Sequence, residues 1–581
     1  MCWTLAMDAA VEIAAARPAA PAPWERWALL ALVGVFGLLA ITLYLPAEED
    51  AFIYYRYAWN WAHGSGLTFN AGDPVEGFSG PLWMALLALL ARLGWDLPRA
   101  APALGLACGA LTVLATHALA LQVGLGRFAR WACTLGVGLS YPFIVWARSG
   151  LETPFYSLVL VLFVKGWLTA ELTDRVDGGA AGRRRRQWLA GCLALPVLLG
   201  RPEGILVLPV VWIDRLTDRR DLAGALRYTL PSLLGYGAFL LWRWQTFHSW
   251  VPNTSIKLYP LLVGRSIPQL LGYVAALGLW PVALPAWTLW RWWSTRNRRD
   301  RREDRERGER RLLAALFGTV CLTSFFFHLA AGGDYRPAFR YLVPTLPILL
   351  VASWYSWELL CRRAPALAGR RVRWGVLTLT LAGSLAFLAE NPPRLRDWSS
   401  LVYPRWRDPY SDTEHWGVRI ARWIDGNVPP GSVVAFGQMG RVPYYLARHG
   451  HEIRFIDTLG LVDREVAGLY RLDRKLGDLL RRVAGGQSLP SALEQGRRDR
   501  AEQFADLLLR RQPDFILVET ELEDYAMMRA LVGRPAFAAR YREVVSLAPP
   551  GGAPYVRIYA LAGGPRPPLR ASAGSPTRRK V

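Results

Sequence analysis

Cysteine, histidine and methionine are scarce in this chain of 581 residues, with 6, 7 and 6 copies respectively. All six cysteines precede residue 391, so the rest of the chain can hold neither a disulfide nor a thiolate zinc site. Charged residues are also few: they make up 20% of the sequence and occur in clumps between long apolar runs. The apolar share of 52% excludes intrinsic disorder and collagen, and the low cysteine content excludes a small disulfide scaffold.

The first long apolar run extends from Trp27 to Ala47 and contains no charged residue. At about 1.5 Å per residue, a helix of this length matches the ~30 Å hydrocarbon layer of a bilayer. Arg17 and Arg26 precede the run and the acids of 48–50 follow it, so the positive-inside rule places residues 1–26 in the cytoplasm. Because no small-x-small cleavage site precedes those acids, we expect a retained anchor rather than a signal peptide.

Ten further apolar runs alternate with polar loops, so we expect about eleven transmembrane helices. The ten runs lie near 100–123, 130–147, 154–171, 187–200, 204–214, 226–247, 268–292, 311–330, 340–361 and 373–390. Alternation places five loops in the cytoplasm, and these hold every dense arginine cluster of the membrane part: 124–129, 172–186, 215–225, 293–310 and 362–372. We therefore attribute most of the excess of 69 Lys+Arg over 46 Asp+Glu to the loops that orient the helices in the membrane. It predicts contact with membrane lipids and no binding of nucleic acid.

The expected fold class is an α-helical polytopic membrane protein, residues 27–391, with a C-terminal extracytoplasmic α/β domain, residues 392–562, and a disordered tail, 563–581. Residues 80–95 are also apolar, but counting them as a span would invert all later loops. We therefore expect a short helix on the outer leaflet there. In the C-terminal domain the pattern predicts a helix at Ala501–Arg511 and four strands, at Val433–Phe436, Arg454–Asp457, Phe515–Glu519 and Tyr555–Leu561.

The first outer loop, 46–80, carries the strongest functional signal. We interpret Glu48 as the point where the chain leaves the membrane for water. For Glu49 and Asp50 we favour a function, because they directly precede an aromatic segment that begins at Phe52 and includes Tyr54 and Tyr55. Such rings suit an interfacial helix or a wall of a sugar-binding site.

Two further outer loops place charged residues beside apolar helices. Glu152 lies in Arg148-Ser-Gly-Leu-Glu-Thr153, where it could serve a site or simply stabilise the N-terminus of the next helix. Arg201 and Glu203 interrupt two half-length apolar segments, and a charged pair there is costly unless it faces a wet cavity or a partner. Function is favoured for this pair, and an internal structural pairing is the alternative.

The remaining two outer loops offer cations and hydrogen-bonding groups. In Pro252-Asn-Thr-Ser-Ile-Lys257, Lys257 can place a point charge on a phosphate and Asn253 can bond a hydroxyl group. In 332–340, Asp334 offers a carboxylate, and the arginines Arg336 and Arg340 can bind a phosphate in bidentate fashion. Arg340 could instead reach towards lipid headgroups.

These blocks, in this order and on one side of the membrane, resemble integral-membrane glycosyltransferases of the GT-C superfamily. The nearest groups are the mycobacterial terminal β-arabinofuranosyltransferases and the related flagellar motor control proteins; the 4-amino-4-deoxy-L-arabinose and protein mannosyl transferases are more distant. The resemblance covers about residues 27–391 and, more faintly, the outer domain. It is carried by Glu49-Asp-Ala-Phe-Ile53, Arg56-Tyr-Ala58, Phe69-Asn-Ala-Gly72, Val75-Glu-Gly77, Leu82-Trp83, Ser149-Gly-Leu-Glu-Thr153, Arg201-Pro-Glu-Gly204, Pro252-Asn-Thr254 with Lys257, Gly332-Gly-Asp334 and Asp457-Thr-Leu-Gly-Leu-Val-Asp463. The family commonly has Asp-Asp at Glu49-Asp50 and Thr-Asn at Ser79-Gly80.

The resemblance implies a transferase in a bacterial inner membrane that moves a sugar, such as arabinofuranose, from a polyprenyl-phosphate donor to an extracytoplasmic glycan or lipid acceptor. We expect Asp50, helped or oriented by Glu49, to act as the general base of a single inverting displacement. Phosphate binding is expected from Arg201, Lys257, Arg336 and Arg340, and substrate binding from Tyr54, Tyr55, Arg56, Glu76, Glu152, Glu203, Asn253 and Asp334.

A metal cofactor is left open by the sequence. The acids of 48–50 together with Asp334 could bind Mg²⁺ or Ca²⁺ through oxygen, but no spacing requires it. His449 and His451 have no evident third ligand, which favours a solvated turn.

Two alternative functions also stay open at this stage. A non-catalytic scaffold or a polyprenyl-lipid transporter is the competing class, although a transporter would place polar residues through the bilayer midplane. Hydrolysis of the donor by water is the alternative reaction.

Overall fold

The computed structural model describes ten stretches of the chain: 22–42, 48–172, 179–218, 221–257, 266–294, 303–333, 338–390, 416–519, 526–548 and 555–564. Most of the expected cytoplasmic segment 1–26 and nearly all of the expected tail 563–581 lie outside these residues.

The membrane part is mainly helical, and each of the eleven apolar runs is helical over most of its described residues. The α-helices are Pro23–Thr42, Leu97–Gln122, Arg127–Gly138, Tyr141–Ala147, Thr153–Leu172, Gly179–Gly200, Val207–Asp218, Leu222–Phe247, Ser266–Ala276, Trp280–Ser294, Glu303–Val320, Phe327–Ala330, Leu346–Arg363 and Arg370–Glu390. Shorter 3₁₀ or π segments connect some of them: Pro202–Leu206, Asn253–Lys257, Cys321–Phe326, Val343–Thr345 and Pro365–Ala368.

Fewer helices than eleven are long and apolar enough to cross a bilayer. Among the described residues five qualify, and seven if each of two bent pairs, with angles of 53° and 97°, is one span. One reason is that helical structure extends into the arginine clusters: Gly179–Gly200 includes Arg183 to Arg186 and so keeps only a short apolar part. The structure thus has the helix content of a multi-pass membrane protein, and the number eleven stays a prediction.

Two helices of the outer region position the first loop. The helix Glu49–Ala62 packs against the helix Pro81–Arg92, which begins with proline at its first position, where the missing N–H costs nothing. With 12 residues, Pro81–Arg92 is too short to cross the membrane. It buries Trp83 and Leu87 on one face and exposes Leu89 on another, as expected of a helix that lies against lipid.

The C-terminal domain is a five-stranded sheet covered by helices. Its strands are β1 (Val433–Phe436), β2 (Arg454–Asp457), β3 (Phe515–Glu519), β4 (Tyr541–Leu547) and β5 (Val556–Leu561), in the order β2-β1-β3-β5-β4. β1 pairs with β2 and β3 in parallel, whereas β5 is antiparallel to β3 and β4. The helices are Trp416–Asn427, Arg441–Arg448, Arg464–Tyr470, Leu472–Ala484, Leu489–Arg511, Ala526–Val532 and Pro535–Arg540.

The C-terminal domain packs directly on the first outer loop. Phe52 contacts the rings of Tyr444 and Tyr445, with centroids 5.6 and 5.7 Å apart. The amide of Asn70 exchanges two hydrogen bonds with the backbone of Phe455, at 2.8 and 3.0 Å. One continuous apolar core therefore includes residues of both parts of the chain.

Candidate functional site

All five loops that sequence analysis assigns to the outer face contribute to one cavity of about 220 Å³. Six of the predicted site residues line it: Asp50, Tyr54, Glu152, Arg201, Glu203 and Arg340. Other parts of the lining are apolar or carry hydroxyl groups, including Ile53, Phe78, Ser79, Leu151, Val251, Pro252, Thr254, Ser255, Phe327, Tyr341 and Leu461. The cavity thus combines three carboxylates and two guanidiniums with apolar surface.

Asp50 and Arg340 form an ion pair at the cavity wall. Asp50 is the second residue of the helix Glu49–Ala62, so its carboxylate lies at the positive end of the helix dipole. Arg340 Nη1 is 3.4 Å from Asp50 Oδ2, and the guanidinium lies over the rings of Trp146 and Tyr341, 5.8 and 5.1 Å from their centroids. A carboxylate held in this way can accept a hydrogen bond from a hydroxyl group in the cavity.

Arg201 lies between two carboxylates in the buried part of the wall. Its Nε is 2.5 Å from Glu203 Oε1, and its Nη1 is 3.0 Å from Glu152 Oε1. Burial by itself would lower the pKa of Arg201, but Glu203 and Glu152 raise that pKa above its ordinary value. Burial raises the pKa of Glu203. The internal pairing considered for Arg201 and Glu203 is thus present, and the paired residues also line the cavity.

Tyrosine and glycine shape the wall between these charges. The Tyr54 hydroxyl accepts a hydrogen bond from the Gly80 N–H at 2.9 Å and lies 3.3 Å from Ser79 Oγ. A Cβ on Gly80 would lie 2.8 Å from the Gly200 carbonyl oxygen, so only glycine fits where these two loops meet. Tyr341 also lines the cavity but was not among the predicted site residues. Its ring lies 5.3 Å from the Arg201 guanidinium and also contacts Arg340. In the sequence, only its position next to Arg340 could have indicated it.

Glu49 faces the C-terminal domain, so of the two expected roles, helping or orienting Asp50, its contacts favour orientation. Glu49 Oε1 accepts hydrogen bonds from the backbone N–H groups of Gly440 and Arg441, at 3.1 and 2.8 Å. Its Oε2 lies 3.3 Å from Arg441 Nε. Successive residues of a helix point in different directions, so Glu49 and Asp50 serve different neighbours.

Arg56 and Tyr55 do not line the cavity, and their role in substrate binding stays a prediction. Arg56 donates to the Phe69 carbonyl oxygen at 2.9 Å and to that of Pro443 in the C-terminal domain. Burial lowers the pKa of Arg56 to about 10. Tyr55 is fully buried and contacts the ring of Phe52, with centroids 4.9 Å apart. Both residues hold the first loop against its neighbours.

Glu76 and Asn253, likewise predicted to bind substrate, connect the outer loops to each other. The Glu76 carboxylate is 2.8 Å from Arg243 Nε and accepts from Arg243 Nη2 at 3.0 Å. Burial raises the pKa of Glu76 to about 7 even against this arginine. Asn253 donates its side-chain N–H to the carbonyl oxygens of Gly460 and Leu461, at 2.7 and 3.0 Å. Neither residue lines the cavity.

Three predicted residues lie outside what the structure describes: Asp334, Arg336 and the side chain of Lys257. Within the described ranges no three His, Cys, Asp or Glu side chains lie together as metal ligands do. The oxygen site considered for Mg²⁺ or Ca²⁺, the acids of 48–50 with Asp334, includes a residue outside the described ranges; of its described members, Glu49 bonds the C-terminal domain and Asp50 pairs with Arg340. His451 Nε2 lies 2.9 Å from the Val428 carbonyl oxygen and its Nδ1 lies 3.2 Å from Asp425 Oδ1, so this side chain has partners within the C-terminal domain and is not the solvated group expected.

Comparison with known proteins supports the fold at low sequence identity. Residues 406–559 match a family model described as a domain of unknown function, DUF8728. No curated protein matches. The apo structure of ArnT from Cupriavidus metallidurans has a TM-score of 0.50 and 14% identity, covering 93% of this chain and 98% of that one; the same protein bound to undecaprenyl phosphate gives 0.49, with the same identity and coverage.

Two larger proteins are also similar. AglB, an oligosaccharyltransferase from Archaeoglobus fulgidus solved with an inhibitory peptide and a dolichol-phosphate, has a TM-score of 0.49 and 11% identity over 93% of this chain and 75% of its own. The arabinofuranosyltransferase AftD from Mycobacteria has a TM-score of 0.44 and 17% identity over 92% of this chain and 40% of its own. The similarity to apo ArnT, at a TM-score of 0.50, shows that this chain shares the ArnT fold, which is the GT-C fold that the sequence predicts.

Proposed function

We propose that this chain is a glycosyltransferase that moves a sugar from a polyprenyl-phosphate monosaccharide to an extracytoplasmic glycan or lipid acceptor. The observation that carries the proposal is the cavity at which five loops meet, with Asp50 and Arg340 paired at its wall. Such a donor needs cations for its phosphate, a carboxylate for the acceptor proton and apolar helices beside the site. The relative ArnT, which has this fold, is known bound to undecaprenyl phosphate.

In the proposed reaction the acceptor hydroxyl oxygen attacks the anomeric carbon while the bond from that carbon to the phosphate oxygen breaks. The hydroxyl proton passes to the Asp50 carboxylate, and polyprenyl phosphate leaves with the bonding electron pair. Attack from the face opposite the leaving group inverts the anomeric centre. General base catalysis of this kind contributes about 10²- to 10⁴-fold in rate.

Arg340 has two roles in this mechanism. Before the donor binds, it fixes the Asp50 carboxylate at the wall of the cavity. When the donor phosphate enters, the guanidinium can bind its oxygens and stabilise the charge that develops as the bond breaks. Arg201 is held by Glu152 and Glu203, so its guanidinium is a fixed hydrogen-bond donor at the wall rather than a mobile one.

The proposed location follows from the same features. We place the chain in a bacterial inner membrane with its N-terminus in the cytoplasm and the cavity and C-terminal domain on the outer side. An arabinofuranose-like sugar is the donor that the sequence resemblance favours. Neighbouring helices with exposed apolar side chains, such as Leu89 beside the first loop, suit the entry of a lipid tail.

The test compares wild type with Asp50→Asn, incubated with radiolabelled polyprenyl-phosphate sugars and envelope glycans. We expect the variant to lose at least about 100-fold in kcat, because an amide cannot take the proton. Asp73→Asn is the matched control, since Asp73 lies in the same loop but does not line the cavity. Equal rates for wild type and a folded Asp50→Asn protein would refute the assignment of Asp50 as the general base. Release of free sugar would indicate hydrolysis of the donor. No turnover of the wild type with any donor would favour a non-catalytic scaffold.

A further inference from the structure

A loop of the C-terminal domain reaches the cavity of the membrane part. This loop, Asp457–Asp463, follows strand β2 and connects it to the helix Arg464–Tyr470. Its residue Leu461 lines the cavity, together with Phe78 and Val251 from the outer loops. Within the part of the chain that the structure describes, Leu461 is the one cavity residue supplied by the C-terminal domain.

The conformation of the loop is fixed from inside its own domain. The buried Asp457 carboxylate accepts hydrogen bonds from the N–H groups of Leu459 and Val462, at 2.8 and 2.9 Å. Gly460 has a φ of +79°, and a Cβ there would lie 2.9 Å from the Ala467 nitrogen. The loop therefore has a single backbone course that presents Leu461 in a defined place.

The membrane part holds the loop from the other side. Asn253 donates to the carbonyl oxygens of Gly460 and Leu461. At Gly77 a Cβ would lie 2.5 Å from Val462 Cγ1 and 3.1 Å from the Leu461 carbonyl oxygen, so the first outer loop approaches as closely as only glycine allows. The position of Leu461 is thus determined by two loops of the membrane part and one of the C-terminal domain.

The size of the cavity limits what Leu461 can contact. A volume of about 220 Å³ lies below the range of about 300–1,000 Å³ for pockets that hold drug-sized molecules. It suits one monosaccharide unit beside the charged wall. The C–H groups of a sugar ring pack favourably on apolar side chains, and Leu461, Phe78 and Val251 offer such a surface.

We propose that the loop Asp457–Asp463 is the wall that selects the transferred sugar and that Leu461 is its specificity-determining residue. This inference rests on the proposed function. The C-terminal domain then completes the cavity and limits the size of the sugar that the donor carries. A pentose fits against Leu461, whereas the additional CH₂OH group of a hexose contacts its side chain.

The first experiment measures kcat/KM for a polyprenyl-phosphate pentose and a polyprenyl-phosphate hexose. Leu461→Ala removes bulk and should shift the ratio towards the hexose by about tenfold, since one methylene in a pocket changes selectivity by about 10- to 200-fold. Leu461→Phe should shift it the other way. Leu480→Ala is the matched control, because Leu480 is exposed on a helix of the same domain, away from the cavity. An unchanged ratio in both Leu461 variants overturns the inference.

A second experiment separates this inference from the proposed function. Leu461→Cys and Leu480→Cys, each in a background without native cysteines, are labelled with a small thiol reagent, with and without the pentose donor. If the donor slows labelling at position 461 but not at position 480, the inference that Leu461 contacts the transferred sugar is supported. This holds even if the wild type transfers no sugar, and only the proposed function is then wrong. If native mass spectrometry shows that the donor binds but position 461 is not protected, the inference about Leu461 is wrong. If the donor does not bind, both this inference and the proposed function are wrong.

Discussion

At the scale of single residues, Glu49 and Asp50 show how two adjacent carboxylates can serve different purposes. Asp50 lines the cavity and pairs with Arg340, whereas Glu49 bonds the first residues of the helix Arg441–Arg448. The C-terminal domain thereby contacts the residue next to the proposed base. Glu49 is best understood as a positioning residue that fixes the start of the helix carrying Asp50.

Replacing Glu49 tests this positioning role. Glu49→Gln removes the charge that faces Arg441, and we expect kcat to fall by about tenfold because the helix start loses one of its fixed contacts. Arg441→Gln should cause a similar loss, and the double variant should lose no more than either single one, since both remove the same contact.

Arg448→Gln is the matched control for that cycle. Arg448 also pairs across the two parts of the chain, with Asp96 at 2.5 Å, but it lies at the other end of the helix Arg441–Arg448 from the groups that bond Glu49. It should leave kcat nearly unchanged. A loss of 100-fold or more in Glu49→Gln, much larger than in Arg441→Gln, would instead indicate that Glu49 takes part in the chemistry.

The sequence could identify some of these residues but not their partners. Asp50, Arg201 and Arg340 stand beside apolar runs, where a charge is costly unless it has a function, and all three line the cavity. Glu76 carries the same signal, yet its partner Arg243 is 167 positions away. No local pattern could show that this pair is a connection between loops rather than a substrate contact.

At the scale of elements, short segments determine the shape of the cavity. The loop Asp457–Asp463 depends on a buried carboxylate, and burial raises the pKa of Asp457 to about 7 from an ordinary value of 3.8. Strand β4 was missed from the sequence because it is an edge strand with several exposed residues and no continuous apolar run. The other four strands each contain a buried run that the sequence makes visible.

The raised pKa of Asp457 predicts a dependence of stability on pH. Between pH 3.8 and about 7 the folded protein retains the proton that the unfolded chain releases, so the free energy of unfolding falls as the pH rises through this window and levels off above it. The full effect is at most about 4 kcal/mol. In detergent, Tm measured from pH 5 to 8 should fall more for wild type than for Asp457→Asn. Glu76 titrates in both proteins, so subtracting one Tm–pH curve from the other removes its contribution. Parallel Tm–pH curves for wild type and Asp457→Asn would contradict the prediction.

At the scale of the whole molecule, the helix ends with dense arginine lie together. Arg215 contacts Glu171 and Asp221, and Arg311 pairs with Asp214 at 2.8 Å. These contacts join the ends of four helices next to the loops 172–186, 215–225 and 293–310, all expected in the cytoplasm. The opposite ends of the same bundle supply the cavity.

One helix connects the two sets of contacts. Leu222–Phe247 begins beside Asp221, which pairs with Arg215, and carries Arg243, which pairs with Glu76, near its other end. Its 26 residues extend about 39 Å, more than the ~30 Å of a bilayer core. The arginine contacts and the Arg243–Glu76 pair are thus far enough apart along this helix to lie on opposite sides of a membrane, as the expected topology requires.

Labelling from outside intact cells tests this sidedness. Single cysteines replace Ala71 in the first outer loop and Ala181 near the start of the helix Gly179–Gly200, both exposed in the structure, in a background without native cysteines. We expect a charged, impermeant thiol reagent to modify position 71 in intact cells and position 181 only after the membrane is opened. Modification of both after opening is the control for accessibility. If position 181 reacts in intact cells and position 71 does not, the proposed base lies on the cytoplasmic side and cannot act on an extracytoplasmic acceptor.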